Sequence, residues 1–205
     1  MSLKDFGAVF KSPKGVFIGV SAQLTIMPFI GFLLAKLSNL PPEIAAGIVL
    51  VGSSPSGVAS NVMAYLAKAN VALSITITSI ATLLAPFMTP LFMKFLAGEF
   101  IEIEVVTMMW SIVKMIILPI GAGLLFNRLS GENTKWLDRA MPFVSMIAIG
   151  VIVTIITATG RDRLLDIGGV LMLLVVVHNL FGYLFGYWAA RLFKMSEGDA
   201  RTISI

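Results

Sequence analysis

The stretch Gly52-Ser53-Ser54-Pro55-Ser56-Gly57-Val58-Ala59-Ser60-Asn61 decides how this chain is read. Eight of its ten residues are Gly, Ser, Pro or Asn. None of these favours a helix interior, and Pro55 removes a backbone donor outright. Yet the flanks, Glu43 to Val51 and Val62 to Ala67, read as membrane helix. In hydrocarbon an interrupted helix leaves carbonyls and amides that cost several kcal/mol unless something satisfies them. Polar broken helices survive where they line a cavity, and there they coordinate ions or substrates. The stretch therefore implies a transport role.

Composition agrees. The 205 residues are 58% hydrophobic and 13% charged, with a mean hydropathy of +0.95. Soluble domains carry about 25% charged residues, so this is an all-α polytopic membrane protein. It has no cysteine, which excludes disulfides and thiolate metal sites. A single histidine, His178, excludes a multi-histidine metal centre. The net charge of +4 needs no nucleic-acid partner, because basic residues at cytoplasmic helix ends account for it. The start, Met1 to Phe6 followed by Lys11 and Lys14, lacks the apolar core and cleavage site of a signal peptide.

A spanning helix needs about 20 mostly apolar residues. Six segments qualify: Gly15–Leu37, Glu43–Lys68 (broken), Val71–Leu96, Val105–Asn127, Ala140–Thr159 and Leu164–Phe193. Pro86 and Pro90, with Thr82 and Thr89, are expected to bend the third. Assigning the segment ends alternately to two sides gathers Lys4, Lys11, Lys14, Lys68, Arg128, Lys135, Arg139, Arg191, Lys194 and Arg201 on one side. The other side collects only Lys36, Lys94, Arg161 and Arg163. The positive-inside rule then places the N-terminus in the cytoplasm.

The chain also resembles itself. A shift of 155 residues lays Gly31, Ala35, Lys36 and Leu37 on Gly186, Ala190, Arg191 and Leu192 without a gap. It lays Gln23 on His178, and the loop before Pro41 on the loop before Ser196. The two segments are the first and sixth spans, so they cross the membrane in opposite senses. That is an inverted-topology repeat, a recurrent plan of secondary transporters. Leu50 maps onto Ile205, so the second copy stops where the first enters its broken stretch. The expectation is a piece of a longer protein, lacking a second broken helix and inactive in transport by itself.

The run from Val51 through Ser60-Asn61 to Ser79 closely resembles the bile acid:sodium symporter family, bacterial branch. Ser21–Pro28, Ser111–Pro119 and Val177–Asn179 support the resemblance. It implies a ten-helix transporter of two inverted repeats, with crossing broken helices and a panel domain rocking against a core. Residues 1–97 would hold core helices three to five. Residues 98–205 would hold panel helices six and seven with core helix eight. The resemblance further implies sodium as the coupled ion, an organic anion such as a bile acid as cargo, and a bacterial inner membrane as the location. A smaller metabolite, such as pantothenate or a 2-oxo acid, is the alternative cargo.

By the same resemblance Ser60, Asn61, Ser74 and Thr78 supply one sodium site and Gln23 contributes to another. Ser74 and Thr78 are four residues apart, so their hydroxyls share a helix face. The competing reading is back-bonding to their own helix carbonyls or interhelical contact. Ser56, Val58 and His178 are candidates for the substrate cavity. Ser56-Gly57 stands where many family members have paired glycines. For His178 a packing role competes, and for Lys114, deep in a span, snorkelling competes with function. An intramembrane enzyme would need a paired nucleophile and base or a metal cluster, and one His without Cys or a deep carboxylate argues against it. A passive channel is disfavoured too, since no ring of selectivity-filter groups is visible.

Overall fold

The computed structural model describes residues 13–130 and 135–205, all of whose regular structure is helical. Lys4 and Lys11 lie outside these residues. Eight α-helices follow in order: α1 (Pro13–Ser38), α2 (Pro42–Ser53), α3 (Val58–Leu66), α4 (Val71–Phe92), α5 (Val105–Ser130), α6 (Lys135–Thr159), α7 (Arg161–Leu192) and α8 (Glu197–Ser204). Among the described residues α1, α4 with its extension to Ala97, and α7 are long and apolar enough to cross a membrane. The segment read as a broken span is indeed two helices, α2 and α3, with Ser54–Gly57 between them. The described apolar stretches of α5 and α6 are Val105–Ile116 and Met146–Thr159. The short α8 was not anticipated.

Local chemistry sets the ends. Pro42 opens α2, where its missing N–H costs nothing, and the Pro41 carbonyl accepts from Ile44 and Ala45. Asn70 caps α4 by accepting from the Leu73 N–H (3.1 Å). α4 continues through Pro86 and Pro90, both buried, and widens into a π-turn over Met93–Ala97. The Ser196 hydroxyl caps α8 at Asp199 N (3.2 Å). At the start of α8 the Tyr187 phenol donates to Glu197 (3.0 Å) and Arg201 pairs with it (3.2 Å). The phenol first, and then the guanidinium, hold this exposed carboxyl below its usual range.

The described residues form two compact units. One runs to Val113 and includes Val176–Ile205; the other is Lys114–Val175. The first holds the packed core. Ala35, Ala45, Ala46 and Val49 of α1 and α2 close against Met93 and Ala97 of the π-turn. Ile18, Ala190, Met195 and Ala200 form a second cluster joining α1, α7 and α8. In the second unit the large apolar side chains of α6 from Ile147 to Ile156 are more than half exposed.

The 155-residue self-resemblance is a repeat of backbone as well as sequence. The α1–α2 turn carries Asn39 at φ 51°, and the α7–α8 turn carries its counterpart Lys194 at φ 57°. α2 starts at Pro42 and α8 at the matching Glu197. A methyl added at Gly31 would sit 3.1 Å from the Ile48 carbonyl oxygen; one added at Gly186 would sit 2.8 Å from that of Ile203, the matching residue. Both copies thus bring two helices together through a glycine, with an alanine one turn on (Ala35, Ala190) fully covered. Small residues at such crossings let backbones approach where apolar burial alone drives little association.

This contact is testable. Gly186→Ala and Gly31→Ala should each destabilise the protein by about 1–3 kcal/mol through overpacking. Gly169→Ala, where an added methyl meets nothing within 4 Å, should be neutral or stabilising by up to ~1 kcal/mol. Thermal unfolding in detergent should therefore show lowered midpoints for the first two only. Equal midpoints in all three would refute the close-packing account.

Candidate functional site

The break between α2 and α3 is held open by its own serines. Ser54 turns back on α2, its hydroxyl donating to Leu50 O (2.8 Å) and its amide to Val51 O (3.3 Å). The Ser53 carbonyl, freed by the break, accepts from the buried Thr89 hydroxyl of α4 (2.8 Å). Ser56 donates to Ser60 Oγ (2.8 Å), which donates to Gly57 O (2.8 Å). Gly57 is the N-cap of α3 and offers no side chain to the first amides. Three carbonyls at the end of α2 are therefore paired, while at the start of α3 the Ser60 amide bonds to Gly57 O (3.1 Å) and no side chain caps the turn.

That space is a cavity of about 360 Å³, and every lining residue belongs to the first unit. Such a volume lies at the small end of ligand pockets. Gln23, Ser56, Ser60, Ser74 and Thr78 all line it, so five of the residues singled out in the sequence converge on one cavity. Asn61 lies just behind them, its Oδ1 accepting from the Ser74 hydroxyl (2.7 Å). Ser74 does not bond back to its own helix through its side chain, in contrast with Thr76 and Thr82, which donate to Ala72 O and Thr78 O. The side chains of Gln23 and Thr78 have no hydrogen-bond partner among the described residues. No lining side chain is charged. The arrangement is a set of neutral oxygens beside a broken helix, the donor type that hard cations take.

One candidate differs from the reading above. His178 does not line the cavity. It is buried behind it, at 3% exposure, with Nε2 3.1 Å from Met27 O. A carbonyl only accepts, so Nε2 carries the proton. This bond ties α7 to α1 immediately before Pro28. Gly52 completes the junction: a methyl there would lie 2.5 Å from Met27 O and 3.1 Å from the His178 ring. The packing reading of His178 is therefore the one its geometry supports. Val58 begins α3, and its side chain lies outside the described residues. Lys114 is exposed on α5 and makes no ion pair among the described residues.

Other lining residues were not anticipated. Asn179, Gly182, Tyr183 and Gly186 form one face of α7 along the cavity. Their spacing of three and four residues is the available sequence signal. It is masked by the apolar residues that surround it in the span.

Comparison with known proteins follows the same lines. Residues 1–167 match the model of the Sodium Bile acid symporter family. The chain is 41% identical over 201 residues to "Uncharacterized sodium-dependent transporter YocS" of Bacillus subtilis (strain 168), covering 98% of this chain and 63% of that protein. It is 33% identical over 205 residues to "Probable sodium/metabolite cotransporter BASS1, chloroplastic" of Arabidopsis thaliana, covering all of this chain and 51% of the relative. It is 30% identical over 209 residues to the rice "Probable sodium/metabolite cotransporter BASS2, chloroplastic", covering 49% of it. The chain thus spans half to two thirds of the length of these relatives.

The His178 bond makes its own prediction. His178→Ala should cost about 2–3 kcal/mol, from a buried carbonyl stripped of a partner and a void left behind. His178→Gln keeps an N–H donor and should cost about half as much or less. Equal losses in chemical unfolding would show that the hydrogen bond contributes nothing beyond volume.

Proposed function

This chain belongs to the sodium bile acid symporter family, and from that premise we propose that it serves sodium-coupled symport of a small organic anion by alternating access. The observation carrying this reading is the joint placement of Asn61, Ser74, Thr78, Ser60 and Gln23 at and immediately behind one cavity wall beside a helix break. Sodium is cargo here. Asn61 Oδ1 and the hydroxyls of Ser60, Ser74 and Thr78 would replace part of its hydration shell, and Gln23 would serve a second ion. Binding of the ion costs Ser74 its hydrogen bond to Asn61 in exchange for two oxygen ligands.

The anion would take the amide end of the break. The first turn of α3 carries partial positive charge, and Gly57 leaves it uncapped. Ser56 and the α7 face of Asn179 and Tyr183 would supply hydrogen bonds to the remainder. With no charged side chain in the lining, helix ends and bound sodium would compensate the anion's charge. This couples the two cargoes, since each lowers the electrostatic cost of admitting the other. A bile acid is one cargo of this class. The "sodium/metabolite cotransporter" names of the plant relatives favour the smaller alternative, such as pantothenate or a 2-oxo acid.

In this reading α1–α4, α7 and α8 belong to the core, and α5 and α6 belong to the panel. Residues 1–97 and 98–205 are parts of two inverted repeats. The N-terminus is cytoplasmic in a bacterial inner membrane. Lys14 donates to Phe193 O (2.8 Å) and Arg201 to Ala67 O (3.3 Å), while Lys36 pairs with Glu99 at the opposite end of α1. This grouping supports the charge segregation that sets the orientation.

The test is uptake by the complete protein in proteoliposomes, with taurocholate, pantothenate and a 2-oxo acid offered in turn. Uptake should require an inward sodium gradient. Asn61→Ala and Ser74→Ala should each raise the half-saturating sodium concentration about tenfold, equivalent to losing ~1.4 kcal/mol of ion binding. Unaltered sodium dependence in both variants would remove these residues from the ion site.

A further inference from the structure

The turn that joins α3 to α4, residues Ala67–Asn70, is held by side chains of α8. Asn70 is the centre of this junction. Its side-chain Nδ2 donates to Asp199 Oδ1 at 2.8 Å. Its backbone N–H donates to Thr202 Oγ1 at 2.8 Å, with Gly198 O also within reach at 3.3 Å. The Thr202 hydroxyl in turn faces Asn70 O (3.1 Å) and Gly198 O (3.0 Å) as acceptors for its single proton. Meanwhile Asn70 Oδ1 accepts from Leu73 N. Arg201 reaches the same turn through Ala67 O. Thr202 is 5% exposed, so its bonds face little competition from solvent.

The internal repeat shows that these polar residues are not needed to make the α7–α8 hairpin. In the first copy the positions of Gly198, Asp199, Arg201 and Thr202 are held by Glu43, Ile44, Ala46 and Gly47. The α1–α2 hairpin nevertheless forms with the same left-handed turn, the same helix start and the same glycine contact. Asp199 and Thr202 are therefore explained by what they touch across the chain, which is Asn70.

What Asn70 controls is one helical turn away. Its carbonyl accepts the Ser74 N–H at 3.0 Å, and the Ser74 hydroxyl meets Asn61 of α3 at 2.7 Å. α3 and α4 carry the two halves of this pair, pack on each other and are linked in sequence by the Ala67–Asn70 turn. A hydrogen bond between hydroxyl and carbonyl tolerates a few tenths of an ångström, and ion ligands need placement within about 0.5 Å.

We propose that Asn70, Asp199 and Thr202 form a latch that sets the spacing of Asn61 and Ser74, making them positioning residues for sodium rather than ligands of it. α8, from one copy of the repeat, thereby tunes an ion site built in the other. The proposal rests on the sodium reading given above.

The test titrates sodium chloride, with choline replacing sodium, against the purified complete protein. It reads both sodium-dependent thermal stabilisation and sodium-driven uptake. Asp199→Ala leaves the Asn70 cap of α4 in place and is the principal variant; Asn70→Ala is the second. Each should raise the half-saturating sodium concentration roughly tenfold, the low end of what outer partners of metal ligands contribute. The maximal uptake rate should stay within about twofold of the parent, since no ligand is removed. Asp199→Asn keeps an acceptor oxygen for Asn70 Nδ2 and should return to within about twofold of the parent. A merely structural role would move stability without moving the sodium titration. If the parent responds to sodium and Asp199→Ala shares its half-saturation, the latch is overturned. If Asp199→Asn is as impaired as Asp199→Ala, the hydrogen bond is not the cause and the latch is again overturned. If the parent shows no sodium response in either readout, the sodium reading falls first and takes the latch with it.

Discussion

Everything in this molecule depends on the demand that a backbone carbonyl or amide in apolar surroundings find a partner. Five serines and glycines with Pro55, from Gly52 to Gly57, end α2 inside such surroundings, and the chain then has to satisfy the ends it has exposed. It does so unevenly. Ser54 returns to Leu50 and Val51, and Thr89 reaches across from α4 to the Ser53 carbonyl. The amides at the head of α3 receive no cap. An uncapped helix start beside a cavity is costly to leave dry and is the electrostatic complement of an anion. The break is therefore biased toward a ligand by the way its own polar groups are shared out.

Much of this was legible in the sequence because it follows from short-range chemistry. A run of Gly, Ser and Pro disfavours a helix interior, so the break at Ser54–Gly57 was visible. The spans followed from length and hydropathy, and α1, α4 and α7 stand within a few residues of their expected limits. The gap-free shift of 155 residues anticipated a hairpin whose turn recurs at Asn39 and Lys194. Other features were hidden, each for a physical reason. α8 has few apolar residues, so hydropathy did not mark it. His178 looked like a cavity residue because its repeat partner is Gln23, but the bond to Met27 O turns it away. Asn179 and Tyr183 are isolated polar groups whose role depends on which face of α7 meets the cavity, and periodicity within a span does not reveal that.

The agreement between the two copies has a mechanical origin. Gly31 with Ala35, and Gly186 with Ala190, allow the backbones of consecutive helices to touch. In a lipid environment the apolar effect does not separate protein from solvent as it does in water, so close packing of small residues must supply the attraction. A larger side chain at either glycine would force the hairpin apart, and each copy meets the constraint in the same way.

The differences between the copies are where the chemistry lies. Met27 and Gly182 are counterparts under the repeat, and they are also in contact, the Met27 sulfur filling the space a side chain at Gly182 would need. A residue touches its own counterpart only near an axis that relates the two copies, and at such an axis two bulky groups would collide. One copy must supply the knob and the other the hole. Around this point the two copies diverge further. Gln23 faces the cavity while His178 braces the wall, Pro28 is buried within α1 where Tyr183 lines the cavity, and Gly47 is bare where Thr202 holds Asn70. Packing requires likeness at the hairpins, whereas a single cavity that treats an ion and an anion differently requires unlikeness at the axis. The sites of broken internal symmetry are thus the positions from which specificity and coupling have to be built.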